Sequence, residues 1–305
     1  MKKIEQYQMV KTFFKGRILI DEPLNRHTSY RIGGPADFYV FPRNLEDLIG
    51  LVDLCSREDI ERFVIGNGSN LLVNDDGFRG VVIDLSETFN HCHSKGNEVM
   101  VGAGTHLRDL LKYCTQRGLS GMESLVGIPG QVGGAIRLNA GAWGGEIGDH
   151  LQHLRWLDRS GTLEKWTREQ LAPGYRTTLM PAEGIVVEVQ FALDEGNPME
   201  MESVQNSYLK DRKAKQPLSL PSAGSVFKRP PGDYAGRLIE EAGCKGLRIG
   251  DAMVSKKHAN FIVNCHLASA QDVLRLADEV RERVLRNFGV ELEMEIVLVG
   301  FGRNG

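Results

Sequence analysis

The segment GIPGQVGGAIRLNAGAWGGE, residues 127–146, restricts the possible folds of this chain more than any other stretch. It places seven glycines in twenty residues, so it reads as a long loop with little side-chain bulk. A flexible linker would be polar and rich in Ser and Gly, whereas this stretch carries Ile128, Val132, Ile136, Leu138 and Trp143. A large planar or diphosphate-bearing ligand could lie directly against such a backbone. A second glycine motif, Gly66-Asn67-Gly68-Ser69-Asn70, follows the short apolar run Phe63-Val64-Ile65. Its glycines can adopt positive φ and let backbone N–H groups converge on an anion, with Ser69 and Asn70 adding side-chain donors. Taken alone, the pentapeptide reads equally well as a tight strand-ending turn. No G-K-[ST] follows it, and Leu71 stands where a Rossmann fingerprint needs its third glycine.

Around these loops the pattern is mixed α+β rather than regular βαβ. Ala36–Phe41 predicts a strand ended by Pro42, and Asn44 caps a helix with Leu45, Leu48, Ile49, Val52 and Leu54 on its apolar face. Val81–Ile83 and Val99–Val101 continue the β pattern, and Leu107–Arg117 reads as a helix closed by Gly118. Further strands are predicted at Arg155–Leu157 and Ile185–Val189. Asn197-Pro198 starts a helix with Met201, Val204, Tyr208 and Leu209 on one face. That dipeptide sets the expected domain boundary: an N-terminal region 1–196, itself split near 70–80, and a smaller C-terminal domain 197–305. The latter contains a helix over 236–243, a strand over 260–263, a long helix from Ser269 to Phe288 and a final strand Glu291–Val299.

Composition removes several function classes. Lys+Arg 37 against Asp+Glu 40 gives a net charge of −3, with no basic excess for nucleic acid or an anionic membrane. The longest apolar run, Ile296–Gly302, is far below the roughly 20 residues of a membrane span. Lys11, Lys15 and Arg17 interrupt any secretory signal. Five cysteines, odd in number and never CxxC, suit free thiols in a reducing cytoplasm. His91-Cys92-His93 is no metal site by this reading: neighbours on a strand point to opposite faces, and no second ligand pair has suitable spacing.

Two glycine loops, each abutting a β segment, resemble the FAD-binding domain of the vanillyl-alcohol-oxidase type. HTSYRIGGPA at 27–36, GNGSNLL at 66–72, the 127–146 segment, PSAGSVFKRPPG at 221–232 and KHANFIVN at 257–264 narrow the likeness further. In order, they resemble the landmarks of the UDP-N-acetylenolpyruvoylglucosamine reductase family, from about Asn25 to Gly300. The resemblance implies a vanillyl-alcohol-oxidase-type FAD-binding domain followed by a smaller α+β substrate-binding domain. It also implies non-covalent FAD, NADPH as hydride donor, and UDP-N-acetylglucosamine enolpyruvate as the substrate reduced for peptidoglycan synthesis. The expected FAD contacts are Gly66, Asn67, Gly68, Ser69, Asn70, Leu71, Gly127, Ile128, Pro129, Gly133, Gly134, Asn139, Ala140 and Gly141. Only Met180–Gly184 separates the Arg176 turn from the strand at Ile185, so the chain resembles the shorter class that lacks a tyrosine loop over the substrate.

Three residues carry the implied chemistry. Ser225, after the small-residue turn Ala223-Gly224, is the general acid that delivers a proton to carbon. Arg176, in Gly174-Tyr175-Arg176-Thr177, sits beside the substrate carboxylate, where a planar fork fits. Glu295 lies on the final strand between the charged pair Glu291, Glu293 and the apolar pair Val297, Val299. A carboxyl at that transition is expected to be partly buried and to hold its proton. Tyr175, Lys215 and Lys228 are the expected substrate contacts, the two lysines facing the diphosphate.

Overall fold

The apolar run around Ala36–Phe41 becomes a strand, Pro35–Phe41, of a four-stranded sheet in the computed structural model, which describes residues 3–302. The sheet order is Arg17–Pro23, Pro35–Phe41, Phe78–Asp84, Arg62–Ile65, the last two running parallel. Asn44 caps the helix Leu45–Arg57, its Oδ1 accepting the Asp47 N–H at 2.9 Å. The helix buries Leu48, Leu51, Val52, Leu54 and Cys55, each large aliphatic stabilising by about 1.5–3 kcal/mol before entropy is counted. The helix Lys3–Phe13 and the strand Arg17–Pro23 lie outside the sequence expectations.

The chain divides into two compact units, each made of three stretches. One unit comprises the chain through Asp21, Asp37–Gly66 and Gly80–Asp211. Its second sheet is antiparallel, in the order Leu163–Thr167, Leu151–Leu157, Ile185–Ala192, Glu98–Gly102, Cys92–Lys95. Alternation sends Leu154, Trp156, Val189, Val99 and Val101 into a core shared with Leu107, Leu110 and Leu111 of the helix Leu107–Gln116. Gly118, at φ 63°, stops that helix as expected. His91 and His93 stack their rings 5.6 Å apart, and His91 Nε2 meets Glu188 at 3.1 Å.

The other unit comprises Glu22–Ala36, Asn67–Arg79 and the chain from Arg212 onward. A three-stranded sheet, Arg248–Ile249, Ala252–Val254 and Ile262–Asn264, shares its core with the helix Ala270–Phe288 and the short helix Ala235–Glu241. Ser269 and Asp272 form a capping box on the long helix, and Gly289 ends it at φ 67°. The N-terminal stretches are tied in closely. Leu71–Val73 pairs in parallel with Val297–Val299, and Asn264 Nδ2 donates to the Tyr30 carbonyl at 3.1 Å.

Three local expectations are corrected. The 127–146 segment is not loop throughout: it folds a six-residue helix, Val132–Arg137, and pairs Gly141–Ala142 with Gly145–Glu146. The helix Pro198–Lys215 buries Met201, but Val204 and Leu209 are 42% and 40% exposed. The final strand is regular only over Val297–Val299, because its first half has a different partner: Met294 forms an antiparallel bridge with Phe227. The expected boundary at Asn197 coincides with the start of a helix, and the chain passes from one unit to the other inside that helix, at Asp211–Arg212. Among the described residues no helix is long and apolar enough to cross a membrane, and all five cysteines are free.

Candidate active site

In the first unit the long glycine segment and the Arg176 turn are bonded into one piece. Gly174 and Thr177 exchange backbone hydrogen bonds at 3.0 and 3.2 Å, which leaves Tyr175 and Arg176 as a two-residue turn. Arg176 takes φ 53°, a left-handed conformation uncommon outside glycine, asparagine and aspartate. Its Nη2 donates to the Gly141 carbonyl at 3.2 Å, and its guanidinium lies 5.5 Å from the Tyr175 ring centroid. Tyr175 is 48% exposed. Asn139 is 1% exposed and devotes its side chain to the same joint. Its Nδ2 donates to the Gly174 carbonyl at 3.0 Å and to Glu146, while its Oδ1 accepts the Gly148 N–H at 3.0 Å. Asn139 thus sits in the loop as its organiser.

Arg137 secures the far side. Its Nη1 donates to the Pro181 carbonyl at 3.2 Å, and its Nη2 reaches the carbonyls of Pro181 and Gly184. Burial lowers the pKa of this guanidinium. The short connection after Met180 is therefore held at both ends by one side chain. Arg137 lies outside the residues expected at the site, and its one signal in the sequence is a lone cation within the apolar run Ala135-Ile136-Arg137-Leu138. At the tip of the small hairpin Trp143 stacks on Tyr208, with centroids 5.2 Å apart and planes at 4°.

This loop suits a flavin. Gly127, Pro129 and Gly134 form its exposed edge, with Ile128 half-buried beside them, so the outer surface is main chain and one pyrrolidine ring. Outside its own helix backbone and chain neighbours, no atom of the described residues lies within 4 Å of the point where a Gly134 Cβ would stand. Gly133 is closed differently, since a Cβ there would meet Ala103 at 3.0 Å. Val132 and Gly133 donate to the carbonyls of Thr105 and Ala103 at 2.9 and 2.8 Å, fixing the loop to its unit. Ala140 accepts from Ile147 at 2.9 Å.

The second unit holds the other set. Gly68, at φ 55°, lies so close to the His27 carbonyl that a Cβ would stand 2.1 Å from its oxygen. Asn70 joins this loop to the acid strand: its Nδ2 donates to the Glu295 carbonyl at 3.0 Å, and its own carbonyl accepts the Val297 N–H at 2.9 Å. Leu71 opens the paired strand. The Glu295 N–H donates to the Val226 carbonyl at 2.7 Å, so the bridge brings Ser225 and Glu295 to the same end of two adjacent segments. Both are half-buried, whereas Glu291 and Glu293 are exposed. Val297, expected on an apolar face, is 37% exposed. Gly224, at φ 79°, precedes Ser225, and apart from its chain neighbours no atom of the described residues lies within 4 Å of its would-be Cβ. Lys228 pairs with Glu293, and Lys215 ends the helix Pro198–Lys215.

Comparison with known proteins agrees across both units. A family described as "FAD binding domain" matches residues 36–167, and "UDP-N-acetylenolpyruvoylglucosamine reductase, C-terminal domain" matches 216–299. The chain is 43% identical over 302 residues to a UDP-N-acetylenolpyruvoylglucosamine reductase of Alkaliphilus oremlandii, covering 98% of this chain and 99% of that one. It is 46% identical over 286 residues to one of Symbiobacterium thermophilum, covering 93% of each. The crystal structure of the corresponding reductase from Thermus caldophilus superposes with a TM-score of 0.80 at 39% identity, covering 94% of this chain and all of that one.

Proposed function

The chain belongs to the UDP-N-acetylenolpyruvoylglucosamine reductase family, and on that premise we infer which of its residues do the work. It is an FAD-containing, NADPH-dependent oxidoreductase that reduces UDP-N-acetylglucosamine enolpyruvate to UDP-N-acetylmuramate in peptidoglycan precursor synthesis. In functional terms the region through 196 binds FAD non-covalently and the region from 197 binds substrate. The working compartment is the cytoplasm, and the balanced charge supports small-molecule partners rather than nucleic acid.

Gly66–Leu71 and the loop of Gly127, Ile128, Pro129, Gly133, Gly134, Asn139, Ala140 and Gly141 hold the flavin, with Asn139 acting through loop geometry. Held there, FAD would supply hydride-transfer chemistry, with NADPH as the hydride source and the terminal carbon of the enol ether as its acceptor. Negative charge then develops beside the substrate carboxylate. The Arg176 guanidinium is planar and always charged, so it orients that carboxylate and offsets the charge. Glu295 is the second group read to meet the same developing charge, as the donor of a hydrogen bond to it. Ser225 delivers the proton to the α-carbon. Lys215 and Lys228 meet the diphosphate, and Tyr175 flanks the substrate from the Arg176 turn.

The observation that supports these roles is the main-chain hydrogen bond from Glu295 to Val226, the residue after Ser225. Stopped-flow absorbance tests it. NADPH should bleach the flavin of Ser225→Ala at close to the wild-type rate. Reoxidation by the enolpyruvyl substrate should slow by about 10²–10⁴-fold, the scale of a lost general acid. Wild-type reoxidation in that variant overturns the role of Ser225, and wild-type protein that the substrate never reoxidises overturns the substrate.

A further inference from the structure

We propose that Asn260 is a positioning residue for the reduction: it fixes the main chain that aims Ser225. This rests on the assignment of Ser225 as proton donor. Asn260 is 7% exposed, and a buried carboxamide is costly unless its polar atoms are satisfied. Both of its side-chain amide atoms bond to Phe227, two residues after Ser225. The Phe227 N–H donates to Oδ1 at 3.0 Å, and Nδ2 donates to the Phe227 carbonyl at 2.8 Å. The main-chain carbonyl of Asn260 accepts the Val226 N–H at 2.8 Å. A side-chain amide therefore pairs with a peptide group as a neighbouring strand would, but only for one residue. The clamp ends at Val226, and Ser225 lies just beyond it.

The clamp is itself rigid. Ser255 Oγ accepts the N–H groups of Lys257 and His258 at 3.1 and 3.3 Å, and the Ser255 N–H donates to the Phe261 carbonyl at 2.8 Å. The Asn260 N–H donates to His258 Nδ1 at 3.3 Å, an acceptor only while the ring is neutral, and burial with nearby Lys245 lowers the pKa of that ring. On its other side Val226 accepts from Glu295. Val226 is thus bonded to Asn260 through its N–H and to Glu295 through its carbonyl, so the clamp sets the separation between the donor serine and the acid. An error of about 1 Å in such a separation can cost on the order of 10²-fold in rate.

The test follows both half-reactions of the FAD-loaded enzyme in Asn260→Ala, Asn260→Asp, Ser225→Ala and the Ser225→Ala/Asn260→Ala pair. Flavin reduction by NADPH should stay within about twofold of wild type. Reoxidation by substrate should fall about 10²-fold in Asn260→Ala. Asn260→Asp keeps the acceptor for the Phe227 N–H and should recover part of that loss; it also carries the test if the alanine variant fails to fold. Hydrogen exchange at the Val226 and Phe227 amides should quicken in the order wild type, Asp, Ala. In the Ser225→Ala background, removing Asn260 should change reoxidation by less than about threefold, since two residues that act through one step do not add. Multiplicative losses in the double variant, or equal slowing of both half-reactions, overturn the proposal. A slow Ser225→Ala with a normal Asn260→Ala rejects the positioning role alone, whereas a normal Ser225→Ala rejects the serine assignment beneath it.

Discussion

Arg176 combines a charged side chain with a backbone conformation that costs an L-residue about 1–2 kcal/mol. Its place in the turn therefore rests on the side chain and not on local preference. Arg176→Gly should be more stable than Arg176→Ala by about 1 kcal/mol, because only glycine relieves the left-handed φ. Substrate reduction should fall to the same low level in both; equal urea midpoints would remove the strain argument. Tyr30 makes the opposite case: it is fully buried, its hydroxyl has no hydrogen-bond partner among the described residues, and burial raises its pKa. Tyr30→Phe should leave stability unchanged or raise it by up to about 1 kcal/mol, measured by urea unfolding. At this scale the roles proposed for Ser225, Arg176 and Glu295 rest on the motifs that surround them. Asn139 and Arg137 were not legible as organisers, because their hydrogen-bond partners stand 35 and 47 residues away at Gly174 and Gly184. No local spacing marks such a partnership.

Among elements, the short helix Val132–Arg137 supplies a variant that separates folding from cofactor binding. Gly134 lies in it, exposed, with open space where a Cβ would go. Gly134→Ala should raise the stability of the apoprotein by about 0.5–1 kcal/mol, the usual gain for alanine inside a helix. The same methyl should weaken FAD binding, read by flavin fluorescence titration. Unchanged FAD affinity would mean that the cofactor does not lie against this face. The helix was hidden in the sequence by its own glycines, which argue for loop until tertiary bonds to Ala103 and Thr105 are known. Ser269–Phe288, with a capping serine, strong periodicity and a closing glycine, was read almost to the residue. The final strand was over-read because period-two alternation reports exposure and not partnership. Both halves alternate, yet one bridges to Phe227 and the other pairs with Leu71–Val73.

At the scale of the whole molecule, each unit is assembled from three stretches, so cutting at the expected domain boundary does not separate them. A fragment of residues 197–305 lacks Leu71–Val73, the partner of Val297–Val299, and also lacks Tyr30 of its core. It should be protease-sensitive and without cooperative unfolding, and a sharp thermal transition in that fragment would contradict the interleaved assignment. Burial also gives the folded chain an alkaline limit. It pushes the thiols of Cys55 and Cys92 from 9.0 up to about 11, and Cys114 to about 12. Above the ordinary thiol range the unfolded chain releases protons that the folded chain keeps. The stability these thiols contribute is complete below about pH 8.5 and is lost as pH rises toward 11 and 12. Urea midpoints between pH 7 and 11 should decline, and Cys114→Ala should flatten the decline. The bond from Asn70 to Glu295 spans 225 residues of chain. During synthesis at about 5–20 residues per second, the early glycine loop must wait more than ten seconds for its last support to leave the ribosome. That end of the loop therefore gains its tie to Glu295 only after the intervening chain has been made, and slow translation of the codons just before Glu295 would delay this tie without altering any residue.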